Sequence, residues 1–268
     1  MRRSVWKSIW LGCLAILAVA VTPAKAVEKP LLDQDVITLV ADEWCPYNCA
    51  ENAQMPGYLV EIARAAFAFK GRKVEYKVMP WSRALKLVNI NYIHGALGAV
   101  PEEAPYLHYP RLSLGFSEDV FLTQKANNWR FEGPRSLLGM HIGLTKDYFY
   151  GEMLETVFRR PQVRLTYVGG ENTQNQLTLL LMADQIDAFI EDTNVIRHAA
   201  RQMGMEKELR WAGQSGEQVS ISIGFQPTAL GKQLSQELDE GLERLRESGE
   251  LARILKRYGL KDWQKTWP

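Results

Sequence analysis

Residues 36–100 constrain the fold more than any other part of the chain, because strand and helix patterns alternate there without a break. Residues 36–41 form an apolar, β-branched run typical of a buried strand. The elements predicted after it follow in strict succession. They are helices at 58–69 and 81–88 and strands at 74–78 and 94–100. Strands that alternate with helices predict an α/β fold with mainly parallel sheets.

A similar unit recurs in the second half of the chain. Its predicted elements are strands at 140–144, 163–168 and 188–190 and helices at 148–158 and 173–182. Segment 112–124 is extended and apolar-rich, and segment 218–225 alternates as a strand does; each is interpreted as a crossing between two lobes. We therefore expect one lobe to be inserted into the other. Lobe 1 would comprise 27–118 plus 224–268, and lobe 2 would comprise 119–223. An amphipathic helix with five leucines, Leu230 to Leu245, would cover the core of lobe 1.

The N-terminus has the pattern of a cleavable export signal at residues 1–26. Basic residues precede an apolar run at 9–21, and Ala24-Lys25-Ala26 has the small-x-small form that a signal peptidase cuts after. The run is shorter than the roughly 20 residues that span a bilayer. The mature chain is therefore expected to start at Val27 and to be periplasmic.

Composition excludes a nucleic-acid partner. Removing the signal removes four positive charges, so a formal charge of +1 becomes −3. A mildly acidic, mixed surface lacks the basic stripe that nucleic-acid binding requires. We also expect no metal and no cofactor, because no cluster of histidine, cysteine and carboxylate residues has ligand spacing.

Cys45 and Cys49 are the two cysteines that would remain after signal cleavage. An oxidising compartment favours their pairing as a disulfide. Such a short loop would stiffen the turn around Trp44 and Tyr47 more than it would stabilise the whole fold, since closing it removes little entropy from the unfolded chain.

Five segments in this order resemble the bacterial extracellular solute-binding proteins of family 3, the periplasmic binding proteins of polar amino acid transporters. The resemblance covers nearly the whole mature chain. Its segments are WCPY at 44–47, PGYLVEI at 56–62, PWSRAL at 80–85, QIDAFIED at 185–192 and SGELARILKRYG at 248–259. It implies a type II periplasmic binding protein fold, in which two α/β lobes close on a small solute by hinge motion.

The resemblance also implies a set of cleft residues. In lobe 1 the matching positions are Trp44, Tyr47, Trp81, Arg83, Gly98, Ala99 and Val100. In lobe 2, Asp192 matches the acid that family members use for the ligand's ammonium group, while its neighbour Glu191 is expected to point away. Arg83 is interpreted either as a clamp for a ligand carboxylate or as a solvated helix residue.

Two departures from the family pattern change the expected ligand. Amino acid binders of the family carry an arginine two residues after a proline to hold the ligand carboxylate, whereas here Pro101 is followed by Glu102 and Glu103. Asp147-Tyr148-Phe149 occupies the place of a Gly-Thr-Thr-like turn. Acids and aromatic rings at these positions favour a cationic or aromatic solute. Arg83 argues the other way, because it could replace the missing clamp.

The predicted function is therefore that of a monomeric periplasmic solute-binding protein. It would capture an amino acid-like or cationic amine solute and deliver it to a membrane permease. One alternative is a ligand sensor that docks on a membrane receptor. The other is an enzyme similar to cyclohexadienyl dehydratases, with Glu102 or Asp192 as the acid, although no catalytic motif accompanies them.

Overall fold

A computed structural model describes residues 35–263. The predicted signal segment and the expected start of the mature chain at Val27 lie outside the described residues. The strands are β1 (Val36–Ala41), β2 (Lys73–Val78), β3 (Gly95–Ala99), β4 (Gly115–Ser117), β5 (Asp119–Gln124), β6 (His141–Thr145), β7 (Arg164–Val168), β8 (Ala188–Asp192), β9 (Leu209–Gln214) and β10 (Val219–Phe225). The helices are α1 (Tyr58–Ala68), α2 (Trp81–Asn89), α3 (Glu152–Phe158), α4 (Thr173–Met182), α5 (Thr193–Met203), α6 (Ala229–Glu247) and α7 (Glu250–Arg257), with a 3₁₀ turn at Pro134–Leu137.

The strands form two five-stranded sheets, one for each lobe. The first has the order β2-β1-β3-β10-β4 and the second the order β7-β6-β8-β5-β9. In each sheet four strands run in one direction, and one strand, β10 in the first sheet and β5 in the second, runs antiparallel to both of its neighbours. The expected α/β fold with two lobes is confirmed. The sheets are mixed, with two parallel and two antiparallel pairings each, because the strand that follows each crossing, β5 and then β10, enters its sheet in the opposite direction.

The chain crosses between the lobes twice. The first crossing lies between Ser117 and Asp119, which belong to neighbouring strands in different sheets. The second lies between Gln214 and Val219, because all of β10 pairs within the first sheet. The chain therefore re-enters the first sheet several residues before the expected lobe boundary between residues 223 and 224.

The helices predicted from apolar periodicity are present, with one shifted start, whereas α5 was not predicted. The leucine-rich helix α6 buries Leu234, Leu238, Leu242 and Leu245 against the core of lobe 1. The helix expected over 148–158 begins only at Glu152. Its N-cap Gly151 has φ 83° and Asp147 has φ 65°, so residues 146–151 form a turn and an irregular loop instead. That segment carries three aromatic side chains toward the cleft. Among residues 35–263, no helix has the length and apolar character to cross a membrane.

Candidate functional site: an acidic and aromatic cleft

A cavity of about 480 Å³ lies between the two lobes. Its wall contains side chains from both sheets and from the loops at their carboxyl-end edges, where open α/β sheets place their ligands. The aromatic lining residues are Trp44, Trp81, Tyr148, Phe149 and Tyr150. The acidic lining residues are Asp42, Glu102, Glu103, Asp119, Glu152, Glu191 and Glu217. Among the described lining residues there is no lysine, arginine or histidine.

On the lobe 1 side, the cavity wall includes the acids Asp42 and Glu103. Asp42 follows β1 directly, and Glu103 lies in the turn after β3, so neighbouring parallel strands bring them to one edge. The Trp81 indole N–H donates to Glu103 Oε1 at 2.8 Å, and the Tyr148 hydroxyl donates to Asp42 Oδ2 at 2.6 Å. Burial raises the pKa of Asp42 to about 6 although the bond from Tyr148 lowers it. Burial also raises the pKa of Glu103, and the charge of Asp42 adds to this effect.

On the lobe 2 side, the corresponding acids are Glu191 on β8 and Asp119 at the start of the adjacent strand β5. Glu191 is only 4% exposed and accepts hydrogen bonds from Trp44 Nε1 at 3.2 Å and from Gln174 Nε2 at 3.1 Å. Burial raises its pKa to about 8, and the nearby charge of Asp119 contributes. Burial likewise raises the pKa of Asp119 to about 7.

The disulfide loop positions the aromatic side of the cavity. The expected Cys45–Cys49 disulfide is present, with a Cα–Cα distance of 4.8 Å. The ring of Tyr47 in the loop stacks on that of Trp44, which directly precedes the loop, with centroids 4.1 Å apart. Asn48 Nδ2 donates to the Asp42 carbonyl at 2.6 Å and so ties the loop to the end of β1. Across residues 35–263, no group of three or more histidine, cysteine or carboxylate side chains is arranged to hold a metal ion.

Several hydrogen bonds connect the lobes through side chains in or beside this cleft. Trp44 donates to Glu191 and Tyr148 donates to Asp42, so each lobe supplies a donor to an acid of the other. Ser82 Oγ donates to Asp147 Oδ2 at 3.0 Å at the exposed edge. The Tyr47 hydroxyl donates to Asp192 Oδ2 at 3.0 Å in the interior.

The residues predicted from the sequence divide into two sets. Those that line the cavity are Trp44, Trp81, Gly98, Val100, Glu102 and Tyr148. Those that do not are Tyr47, Arg83, Ala99, Asp147 and Asp192. Ala99 is buried in β3, whereas Arg83 and Asp147 are exposed outside the cavity wall.

Asp192 is fully buried and caps helix α5 instead of facing the cavity. Its Oδ1 accepts from the backbone N–H groups of Asn194 and Val195 at 2.8 and 3.0 Å. Its Oδ2 accepts from Tyr47, Ser117 and the Glu118 backbone, at 3.0, 3.1 and 3.0 Å. Successive side chains of a strand point to opposite faces. The expected orientations of Glu191 and Asp192 are therefore reversed: Glu191 lines the cavity and Asp192 does not.

Sequence reasoning did not place Asp42, Glu103, Asp119 or Glu191 in the candidate site, although it noted Glu103 as an acid in the loop where the family carries an arginine. Asp42 carried a usable signal, because it directly follows a buried strand whose carboxyl end faces the cleft. Asp119 had no local signal, since its position depends on where the chain crosses between sheets. Glu191 could have been recognised only from the capping role of its neighbour.

Two α/β lobes with a cleft between them are the architecture of the two-lobed solute-binding proteins, and in this chain the cleft is acidic and aromatic. The chain belongs to the bacterial extracellular solute-binding proteins of family 3, whose family model matches residues 36–261. No curated protein sequence matches the chain significantly.

Several solved structures share the fold. The substrate-binding protein of an amino acid ABC transporter from Streptococcus pneumoniae, bound to L-arginine, has 16% identity and a TM-score of 0.68, covering 84% of this chain and 94% of that one. EhuB in complex with hydroxyectoine has 16% identity and a TM-score of 0.69, covering 85% and 90%. A histidine kinase sensor domain with similarity to periplasmic binding proteins has 19% identity and a TM-score of 0.71, covering 85% and 98%. At these identities the likeness is one of fold.

Proposed function

We propose that this protein captures a small cationic amine in the cleft between its lobes, in the periplasm, and delivers it to a membrane transporter. The observation that carries the proposal is the charge of the cavity wall. Its charged side chains in the described chain are all acidic. A positively charged solute is the ligand that such a wall stabilises most.

Electrostatics favours a cation strongly here. The carboxyls of Asp42, Asp119 and Glu191 have raised pKa values because burial disfavours their charged forms. An ammonium group nearby stabilises those charged forms. At 4 Å and an effective dielectric constant of about 20, one such pair attracts by about 4 kcal/mol before the cost of desolvation.

The aromatic residues support the same ligand class. Trp44 and Trp81 line the cavity beside the acids that their indole N–H groups contact. A cation over an aromatic face gains about 0.5 to 2 kcal/mol, depending on how far it is desolvated. Rings together with carboxylates form a suitable enclosure for an amine with an apolar body.

The cavity does not favour a standard α-amino acid. Arg83, the residue expected to clamp a ligand carboxylate, is exposed and does not line the cavity. A carboxylate in this cavity would face Glu102 or Glu103 without a side-chain cation among the lining residues described. The ligand is therefore an amine without a carboxylate.

Contacts from both lobes explain how capture would work. Trp81 and Asp42 belong to lobe 1, whereas Glu191 and Tyr148 belong to lobe 2. A ligand that contacts both sets binds the closed arrangement better than an open one and shifts the population toward it. A membrane permease could then recognise the closed form.

Thermal unfolding of the mature protein against a panel of solutes tests this proposal. A ligand that binds only the folded state raises the melting temperature. We expect a rise with amines, polyamines or quaternary amines and none with small organic acids. Glu191→Gln should reduce the rise, whereas Glu75→Gln, at an exposed site on β2, should not. A rise with organic acids alone would contradict the proposal.

Catalysis is separated from binding by analysing the bound amine. If the protein only binds, mass spectrometry after prolonged incubation and release will recover the amine unchanged. Conversion of the amine to a product of different mass would show an enzyme on this fold instead.

A further inference from the structure

Four acids of the cavity wall, Glu191 buried and Asp42, Glu103 and Asp119 half-buried, form two groups, one on each lobe. Asp42 and Glu103 follow adjacent strands of the first sheet. Asp119 and Glu191 lie on adjacent strands of the second sheet. In their ionised forms both groups are negative, so neither neutralises the other. When the lobes approach, two negative groups therefore enter one cavity.

Hydrogen bonds within the protein leave acceptor atoms facing the cavity. Glu103 Oε1 accepts from Trp81, whereas Glu103 Oε2 accepts no hydrogen bond from the described residues. Asn48, which lines the same cavity and is 1% exposed, has an Oδ1 with no hydrogen-bond partner in the described part of the chain. A ligand with several N–H donors would satisfy these acceptors, as a buried polar group generally requires.

A ligand with one positive charge compensates only one of the two acidic groups. The other group would remain buried opposite charges of its own sign, which disfavours closure of the lobes. A ligand with two positive centres places one beside each group. Each lobe then attracts the ligand, and both attractions exist together only in the closed arrangement. The ligand therefore binds the closed arrangement more tightly than the open one and favours closure.

We propose that the ligand carries two cationic centres, one held by Asp42 and Glu103 of lobe 1 and the other by Asp119 and Glu191 of lobe 2. The chemical class is a linear diamine or a longer polyamine. The cavity volume of about 480 Å³ lies within the range of about 300 to 1,000 Å³ usual for small-molecule sites. This inference depends on the proposed function, because it specifies the ligand of the same cleft.

Calorimetric titration with two homologous series tests the inference. One series contains α,ω-diamines and the other contains n-alkyl monoamines of matched carbon number, both measured at pH 8. We expect the best diamine to bind at least about tenfold tighter than its matched monoamine, and tighter at low than at high salt. Equal affinities for matched diamine and monoamine would overturn the inference.

Charge-removing variants on the two lobes sharpen the test. Glu103→Gln removes a charge from lobe 1 and Glu191→Gln removes one from lobe 2. Each should reduce the diamine's advantage over the monoamine to less than about threefold. Glu75→Gln is the matched surface control and should leave it unchanged. Glu103 is the less buried of the two acids, so its variant remains informative if Glu191→Gln fails to fold.

The outcomes distinguish this inference from the proposed function. If monoamines and diamines bind equally well and acids do not bind, the cationic cleft stands and the two-centre ligand is wrong. If no amine of either series binds while a carboxylic acid does, the proposed function itself is wrong. If the diamine's advantage disappears in both charge-removing variants, the two-centre ligand is supported.

Discussion

Glu191 and Asp192 are adjacent carboxylates with different tasks. The Glu191 carboxylate faces the cavity and accepts a hydrogen bond from Trp44 of the opposite lobe. The Asp192 carboxylate caps α5 and accepts from Tyr47. At the residue scale, two adjacent residues of one strand therefore have different roles: Glu191 lines the cavity, and Asp192 supports the fold.

Substitution at the two positions should have different consequences. Asp192→Ala removes a helix cap worth about 0.5 to 2 kcal/mol, so we expect the free energy of unfolding to fall by at least that amount. Trp81→Ala, which removes a cavity wall, should weaken amine binding more than Asp192→Ala does. Urea denaturation and calorimetry measure the two effects. An Asp192→Ala variant of unchanged stability but abolished binding would contradict this assignment.

The buried carboxyls also predict how stability depends on pH. The folded-state pKa values of Asp42, Asp119 and Glu191 are raised to about 6, 7 and 8, so the protonated forms are favoured in the folded protein. Their contribution to stability is fully present below their ordinary pKa values near 4 and is lost as the pH rises through the raised values. We expect the free energy of unfolding without added ligand to fall between about pH 5 and pH 8.

Urea denaturation across this pH range checks that expectation. Glu191→Gln should remove the decline in the free energy of unfolding at the upper end of this pH range, because the glutamine amide does not titrate. Glu75→Gln should leave the decline intact. Stability that rises from pH 5 to pH 8 in the unmodified protein would show that these carboxyls are not buried in the way described.

At the element scale, the disulfide loop at 45–49 connects the end of β1 to the cleft. It holds Trp44 against the cavity and Asn48 against the Asp42 carbonyl. Loop-closure entropy for so short a loop is worth about 2 kcal/mol. We therefore expect the paired substitution Cys45→Ala and Cys49→Ala to destabilise the fold by no more than about that amount.

The same double variant should affect ligand binding more specifically. Without the cross-link, Trp44 loses its fixed position, so amine affinity should fall several-fold in protein that is still folded. Calorimetry at a temperature well below the melting transition measures this. A double variant that binds as tightly as the unmodified protein would show that the loop does not position the site.

Elements with strong periodicity were predictable from the sequence, and elements without it were not. The helix predicted at 173–182 has the observed bounds Thr173–Met182. The start of α3 was placed too early, since the turn before it requires positive φ at Asp147 and Gly151. Strand β9 was missed because its partner, β5, lies far away in the sequence.

At the scale of the whole molecule, the family resemblance predicted the two-lobed architecture. The cavity's acids were harder to predict, because Asp42, Glu103, Asp119 and Glu191 come from four separate segments. Only the strand order of the two sheets brings them to facing edges. Local sequence patterns do not contain that information.

A cationic ligand and protons should compete for the carboxyl groups that line the cleft. An amine binds the ionised forms of Asp42, Asp119 and Glu191, whose pKa values are about 6, 7 and 8. Raising the pH from 5.5 to 8.5 removes the competing protons. Each carboxyl that must ionise strengthens binding by up to about tenfold per pH unit below its pKa.

The measurement that tests the cationic cleft most directly is therefore a calorimetric titration of a diamine at several pH values between 5.5 and 8.5. We predict that affinity rises across this range and that protons are released on binding, as shown by different heats in buffers of different ionisation enthalpy. Affinity that is unchanged or falls as the pH rises, without proton release, would contradict the binding of a cation by these buried carboxylates.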